Sequence, residues 1–84
     1  MALYDTFRQN KDLRKILKSK KFKYSEQIMR LRICTGLEFE EVSKRLDMTS
    51  AELIEYEYCN LTISLKQYRQ TLQRLYDLVK ELSS

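Results

Sequence analysis

Side chains that carry catalytic chemistry are scarce in this sequence. Histidine is absent, so neither a Ser–His nor a Cys–His pair can form. The two thiols, Cys34 and Cys59, cannot supply the four ligands of a structural zinc site. We expect both to be reduced and partly buried, with a single disulfide as the alternative. Glu38, Glu40 and Glu41 are close in sequence, whereas paired acid–base carboxylates normally converge on a cleft from separate elements. A single glycine excludes a Gly-rich phosphate loop. We therefore expect no enzyme, no cofactor and no metal site.

The uneven distribution of charge is more informative than the net charge of +4. Residues 1–23 hold eight basic and two acidic side chains, a charge of +6. Residues 36–60 hold two basic and seven acidic side chains, a charge of −5. The basic segment predicts contact with nucleic-acid phosphates or with an acidic partner, and a solvated helix face is the alternative.

The composition predicts one small all-α domain in the cytoplasm. The 84 residues contain no proline and one glycine, and the common residues favour helices. No apolar run approaches the roughly 18 residues of a membrane span, and the N-terminus has no apolar signal core. We expect five or six helices: residues 1–23 form a basic N-terminal helical arm, and residues 24–84 form a domain that ends in a long C-terminal helix.

Apolar spacing and capping residues predict where the helices begin and end. Residues 3–17 form one bent helix or two short ones. Ser25 caps the next helix, and Gly36 stops it in a left-handed conformation. A short helix over residues 38–46 ends at Asp47. Thr49 and Glu52 form a capping box that starts a helix over residues 49–58.

An apolar stripe runs along the last helix at spacings of three and four residues. It consists of Leu65, Tyr68, Leu72, Leu75, Val79 and Leu82. We expect its first half to pack in the domain core. The second half is either a homodimer seam, through Leu72, Leu75, Val79 and Leu82, or is covered within the chain by the apolar residues of the N-terminal segment.

Two short helices joined only by Asp47 and Met48 have the helix-turn-helix layout, whose second helix enters the DNA major groove. The segment IMRLRICTGLEFEEVSKRLDMTSAELIEYE, residues 28–57, resembles the Cro and phage-repressor type of helix-turn-helix domain, the XRE family. The matching positions are Ile28, Leu31, Arg32, Gly36, Leu37, Glu41, Val42, Leu46, Thr49, Leu53, Tyr56 and Glu57, and Ser43 stands where the family prefers Ala. The resemblance covers about residues 25–72. It implies a lambda-repressor-like core, which we expect to centre on Ile28, Leu31, Leu37, Val42, Leu46, Leu53, Tyr56, Ile63 and Leu65.

The resemblance also implies roles for individual residues. Arg32 is expected to form a structural ion pair with Glu57, shielded from water. DNA contacts are expected at Phe39, Thr49, Ser50, Ala51, Glu52, Glu55, Asn60 and Thr62. The basic segment adds candidate phosphate contacts at Lys11, Arg14, Lys15, Lys18, Lys20, Lys21 and Lys23.

The sequence departs from the family pattern where the family reads DNA. Ser50, Ala51 and Glu55 replace the usual polar or basic readers, and Phe39 replaces a phosphate-binding Gln. Cys59 replaces the glycine that usually follows the second helix, so we expect the next residue, Asn60, to take the left-handed turn. The break after residues 63–68 is also missing, so two family helices can be fused into one.

Two functions are therefore open. The first is a DNA-binding transcriptional regulator that contacts double-stranded DNA mainly through its basic segment. The second is a protein-interaction module, such as an antirepressor, an antitoxin or a regulator partner. Its acidic second motif helix, with Tyr56, Tyr58 and an exposed Phe39, would contact a basic protein. DNA binding gains support if Lys11, Arg14, Lys15 and Lys18 share a face with Ser50.

Overall fold

The computed structural model describes Lys15 and residues 19–84, and within this range it contains four helices and no strand. These are α1 (Lys20–Thr35), α2 (Phe39–Arg45), α3 (Ser50–Glu57) and α4 (Leu65–Ser83). The prediction of an all-α fold is confirmed for this part of the chain. The helix or helices predicted over residues 3–17 lie outside the described residues, apart from Lys15. None of the described helices has both the length and the apolar character needed to cross a membrane.

Helix α1 begins earlier than predicted. Its cap is Ser19, whose side chain accepts a hydrogen bond from the backbone N–H of Phe22 at 3.1 Å. The prediction that Ser25 caps this helix is wrong, because Ser25 is buried and its hydroxyl donates to the carbonyl oxygen of Glu57 at 2.8 Å. Lysine is a good helix former, so the charged residues after Ser19 belong to the helix. Gly36 ends α1 with φ 69°, as predicted.

The two short helices α2 and α3 are joined as the sequence predicts. Asp47 takes a left-handed conformation, with φ 58°, in the turn between them. The capping box of α3 is present: the Thr49 side chain accepts from the backbone N–H of Glu52 at 3.1 Å, and the Glu52 carboxylate accepts from the backbone N–H of Thr49 at 3.3 Å. This cap satisfies N–H groups that the first turn of α3 leaves unpaired.

The left-handed residue after α3 is Cys59, with φ 58°, so the assignment of this turn to Asn60 is wrong. The turn directly follows Tyr58, the C-terminal capping residue of α3, which is the position where helices commonly take a left-handed residue. Asn60 instead organises the next turn: its side-chain oxygen accepts from the backbone N–H of Thr62 at 2.9 Å, and its carbonyl accepts from the Tyr68 hydroxyl at 3.0 Å.

The core lies where α1 and α4 pack along each other, with α2 and α3 against them. Its buried apolar residues are Ile28, Val42, Leu46, Leu53, Tyr68, Leu75 and Leu78. Four members of the predicted centre are therefore confirmed as buried, and four pack against this cluster while partly exposed: Leu31, Leu37, Tyr56 and Ile63. Leu65 is exposed, so its assignment to the core is wrong.

The stripe on α4 is divided between core and surface. Tyr68 and Leu75 are fully buried, whereas Leu82 is 40% exposed. Thr71 and Leu78, which do not belong to the predicted stripe, are buried as well. The buried side of α4 is thus rotated away from the predicted stripe, because its position depends on where α1 lies. Leu75 is enclosed within its own chain and has no surface to offer a second copy.

Candidate functional site

An ion pair between Arg32 and Glu57 joins α1 to α3. The Arg32 guanidinium donates from Nε to one carboxylate oxygen at 2.6 Å and from Nη2 to the other at 3.0 Å. The side chains are 22% and 10% exposed, respectively. The predicted pair is therefore confirmed in both geometry and shielding. The two charges neutralise each other and fix the position of α1 relative to α3.

Phe39 covers this ion pair. The guanidinium carbon of Arg32 lies 5.0 Å from the centre of the Phe39 ring, which is a cation–π arrangement. Phe39 is half-buried and packs against the hydrophobic core. The expectation of an exposed Phe39 is therefore wrong, because its ring is held between Arg32 and the core. Phe39 therefore places an apolar ring beside the ion pair and offers no polar group to a ligand there.

A shallow apolar depression lies beside the ion pair. Met29, Phe39, Ile54 and Tyr58 line it together with the paired charges, and its volume is about 270 Å³. Ile54 is 42% exposed and Tyr58 is 82% exposed. They are four residues apart on α3 and therefore lie side by side.

The exposed residues Met29 and Ile33 have the same spacing on α1. We call Met29, Ile33, Phe39, Ile54 and Tyr58 the α3 face. Sequence reasoning missed Met29, Ile33 and Ile54. The sequence did contain a signal for Ile54. This large apolar residue does not share the core side of the helix with Leu53 and Tyr56, and a helix side that faces only solvent would rarely carry it.

The predicted DNA-reading positions of α3 carry no positive charge. Ala51, Glu52 and Glu55 are exposed, and the helix contains neither Lys nor Arg. Ser50 is half-buried, with its hydroxyl oxygen 3.3 Å from that of Ser43. The Glu52 carboxylate belongs to the capping box with Thr49. These positions therefore offer no long donor that could reach a base edge.

Glu55 and the loop after α3 form a local hydrogen-bond network. The Glu55 carboxylate accepts from the Asn60 side-chain amide at 3.3 Å. Thr62 is exposed, and its hydroxyl donates to the Asn60 side-chain oxygen at 2.7 Å. Asn60 and Thr62, the two loop residues predicted to contact DNA, are thus bonded to each other, while Glu55 stays exposed to solvent.

Among the described residues of the basic segment, Lys21 contacts the loop that follows α3. The Lys21 ammonium donates to the carbonyl oxygen of Leu61 at 2.7 Å, just beyond the end of α3. Lys15, Lys20 and Lys23 are exposed. The relation of Lys11, Arg14 and Lys18 to Ser50 lies outside the described residues and stays a prediction.

The two cysteines are free thiols. Cys34 is exposed, so the expectation that both are partly buried holds only for Cys59. Burial raises the pKa of the Cys59 thiol, and the positive charge of Lys21 opposes this shift. Among the described residues, no group of three or more His, Cys, Asp or Glu side chains is placed to hold a metal ion.

Comparisons with protein-family models, with curated proteins and with solved structures found no match to this chain.

Proposed function

We propose that this chain is a helix-turn-helix protein-interaction module with a Cro-like core, and that it binds a protein partner through the α3 face. The observation that carries this proposal is the exposure of Ile54 and Tyr58 on the side of α3 that a DNA-binding member would insert into the major groove. Large apolar side chains that border a depression are typical of a surface that another protein covers. Tyr and Met are also enriched at protein interfaces.

The charges of this surface support the same proposal. Glu52 and Glu55 are exposed on α3, and α3 has no basic residue to offset them. Carboxylates near phosphates weaken DNA binding, whereas they attract Lys or Arg of a protein partner. The partner is therefore a protein with an apolar anchor and basic residues around it, such as a repressor, a toxin or another regulator.

DNA binding as a transcriptional regulator is the second candidate. It is supported by the two-helix layout and by Lys21, which lies against the loop that follows α3. The charge of +6 in residues 1–23 would supply phosphate contacts. In that case affinity comes from the basic segment, and α3 contributes little sequence specificity.

A photo-crosslinking residue at position 58 separates the two candidates. Tyr58 is replaced by p-benzoylphenylalanine, and the chain is irradiated in an extract of its source cells that also contains their DNA. The matched control carries the same residue in place of Tyr76, which is exposed on α4. We expect a discrete protein adduct from position 58 that is absent from the control and is lost when Ile54→Glu is added. Adducts with DNA from position 58 would contradict the proposal.

A mobility-shift titration with generic duplex DNA tests the second candidate directly. If DNA is the ligand, neutralising Lys15, Lys18 and Lys21 together weakens binding to all sequences alike. It also lowers the salt dependence, by about 0.9 in the log–log slope for each phosphate that the chain no longer neutralises. Glu55→Gln then strengthens non-specific binding by removing a repulsive charge. Under the protein-interaction proposal, we expect no shift with duplex DNA even at low salt.

A further inference from the structure

A second apolar surface lies between α1 and α4. It is a groove of about 620 Å³ with Tyr24 and Leu31 on α1, Leu72 and Tyr76 on α4, and Arg30 and Arg69 among its lining residues. We call it the α1–α4 groove. None of its lining residues belongs to the α3 face. It therefore lies on a different side of α1 from Met29 and Ile33 and does not depend on the function proposed above.

We propose that the α1–α4 groove binds an amphipathic helix of a partner protein, and that Asp or Glu residues flank the apolar stripe of that helix. The two tyrosines and two leucines supply the apolar floor and walls. Tyr and Arg are the residue types that dominate the energy of protein interfaces, and both occur twice here.

The charges at the groove fit an acidic occupant. Among the described residues, the lining contains two arginines and no carboxylate. The ammonium of Lys80 lies 4.8 Å from the centre of the Tyr76 ring and adds a third cation.

Two carboxylates on α1 and α4 make contacts within their own helices. Glu26 pairs with Arg30 at 2.7 Å, and Asp77 accepts from the side-chain amide of Gln73 at 3.0 Å. Arg69 has no ion-pair partner among the described residues. It is therefore the charge best placed to receive a partner's carboxylate.

The length of the groove corresponds to about two turns of a helix. Tyr24 and Leu31 are seven residues apart on α1, which corresponds to roughly 10 Å, or two helical turns. Arg69 and Tyr76 span the same distance on α4. A third helix lying along this groove would place apolar residues spaced by three, four and seven positions against the two leucines and two tyrosines.

Charge disfavours the occupants that this chain itself could supply. A two-fold dimer through the groove would place two grooves face to face, so the arginines of both copies would share one interface, which is unfavourable for like charges. Residues 1–18 hold five basic and two acidic side chains, so their sign also does not match. An acidic helix from another protein meets neither objection.

The test uses the full chain and a fluorescent synthetic peptide of about four helical turns, with a leucine stripe flanked by glutamates. A matched peptide carries lysines in place of the glutamates. Anisotropy titrations are made with the native chain, with Arg69→Glu and with Arg74→Glu. Arg74 is the control, since it is exposed on α4 and lines a different depression. Circular dichroism verifies that each variant is folded.

We expect the acidic peptide to bind and the basic peptide not to bind. Arg69→Glu should weaken binding about tenfold or more, whereas Arg74→Glu should change it by less than about twofold. Equal binding of both peptides, equal effects of the two substitutions, or no binding of the acidic peptide would overturn the proposal. Displacement of the peptide by duplex DNA would also overturn it, because the groove would then be a site for polyanions.

Two further measurements on the native chain identify the surface and the occupant. Peptide-induced shifts of backbone amide resonances should cluster at Tyr24, Leu31 and Leu72. Shifts centred on Ile54 and Tyr58 would assign the peptide to the α3 face. They would contradict the proposal for the α1–α4 groove, but not the proposal that the α3 face binds a protein. Sedimentation without peptide should show no dimer that Arg69→Glu dissociates, since such a dimer would make a second copy the occupant.

Discussion

Replacing Glu57 with Gln should destabilise the fold much more than replacing Glu55 with Gln. The Glu57 carboxylate receives two hydrogen bonds from the Arg32 guanidinium, at 2.6 and 3.0 Å, in a site where it is only 10% exposed. Glu55 is exposed, and its one acceptor contact, with the amide of Asn60 at 3.3 Å, can be kept by a Gln oxygen. The two substitutions are chemically identical, so their difference reports the ion pair.

The magnitude follows from what Gln can still do at position 57. Its side-chain oxygen accepts one hydrogen bond from Arg32, but its amide group cannot accept the other, and the opposite charge is gone. A hydrogen bond to a charged group contributes about 1.5–3 kcal/mol. Removing a partner completely from a buried pair costs about 3–5 kcal/mol. Since Arg32 is 22% exposed and partly hydrated, we expect a loss of about 2 kcal/mol for Glu57→Gln. In a domain of this size such a loss corresponds to a Tm lower by roughly 10 °C.

Urea and thermal unfolding followed by far-UV circular dichroism measure this difference. The titrations are repeated at low and high salt, because screening acts less on partly buried pairs than on exposed ones. The deficit of Glu57→Gln should therefore persist at high salt, while Glu55→Gln should stay within about 0.5 kcal/mol of the native chain. Equal effects of the two substitutions, or a deficit that disappears at high salt, would refute the role assigned to the pair with Arg32.

Five other substitutions test the fold. Gly36→Ala should lower the free energy of unfolding, measured in urea, by about 1 kcal/mol. The loss comes from the φ of 69° alone, because no atom lies within 4 Å of the added Cβ, and a far larger loss would reveal a clash. Cys59→Gly should raise the free energy of unfolding by up to about 1 kcal/mol, since the φ of 58° suits glycine, and destabilisation would contradict that turn. Leu75→Ala should cost about 2–5 kcal/mol and Leu82→Ala less than about 1 kcal/mol, because only the first is buried; similar losses would be inconsistent with this division. Burial raises the pKa of Tyr68 to about 12, whereas tyrosine in the unfolded chain ionises near 10. Because the unfolded chain therefore loses this proton first, the free energy of unfolding should fall as pH rises from about 10 to about 12. Tyr68→Phe should lessen that fall in urea unfolding at each pH, and an unchanged pH dependence would count against it.

The helix ends could be predicted from the sequence because caps act over three or four residues. Thr49 and Glu52 are three residues apart, which is the spacing of a capping box. Gly36 stops α1 because glycine, which has no Cβ, takes the left-handed turn at no steric cost. The start of α1 was missed because local signals alone did not decide it. Ser19 and Ser25 are both acceptable caps in the sequence, and the choice depended on Ser25 being drawn into the interior by its hydrogen bond to Glu57.

The ion pair could also be anticipated, although not from spacing along one helix. Arg32 and Glu57 are on different helices, and only the resemblance of the whole segment to a helix-turn-helix family predicted that they meet. The position of Phe39 could not be derived in this way. An aromatic residue where the family has a polar one offers no local signal, and its ring is placed by the guanidinium on one side and the core on the other.

The tertiary structure decided which sides of the helices are covered. A periodic stripe shows which residues of α4 share a side, but the width and rotation of the buried sector depend on how the neighbouring helices lie. Leu78 was therefore missed, and Leu65 was wrongly placed in the core. The α3 face illustrates the same limit, because Met29 and Ile54 come from separate helices and become one surface only when α1 and α3 pack together. A sequence determines side-chain chemistry and local backbone preference, whereas a surface built from distant segments exists only after the chain has folded.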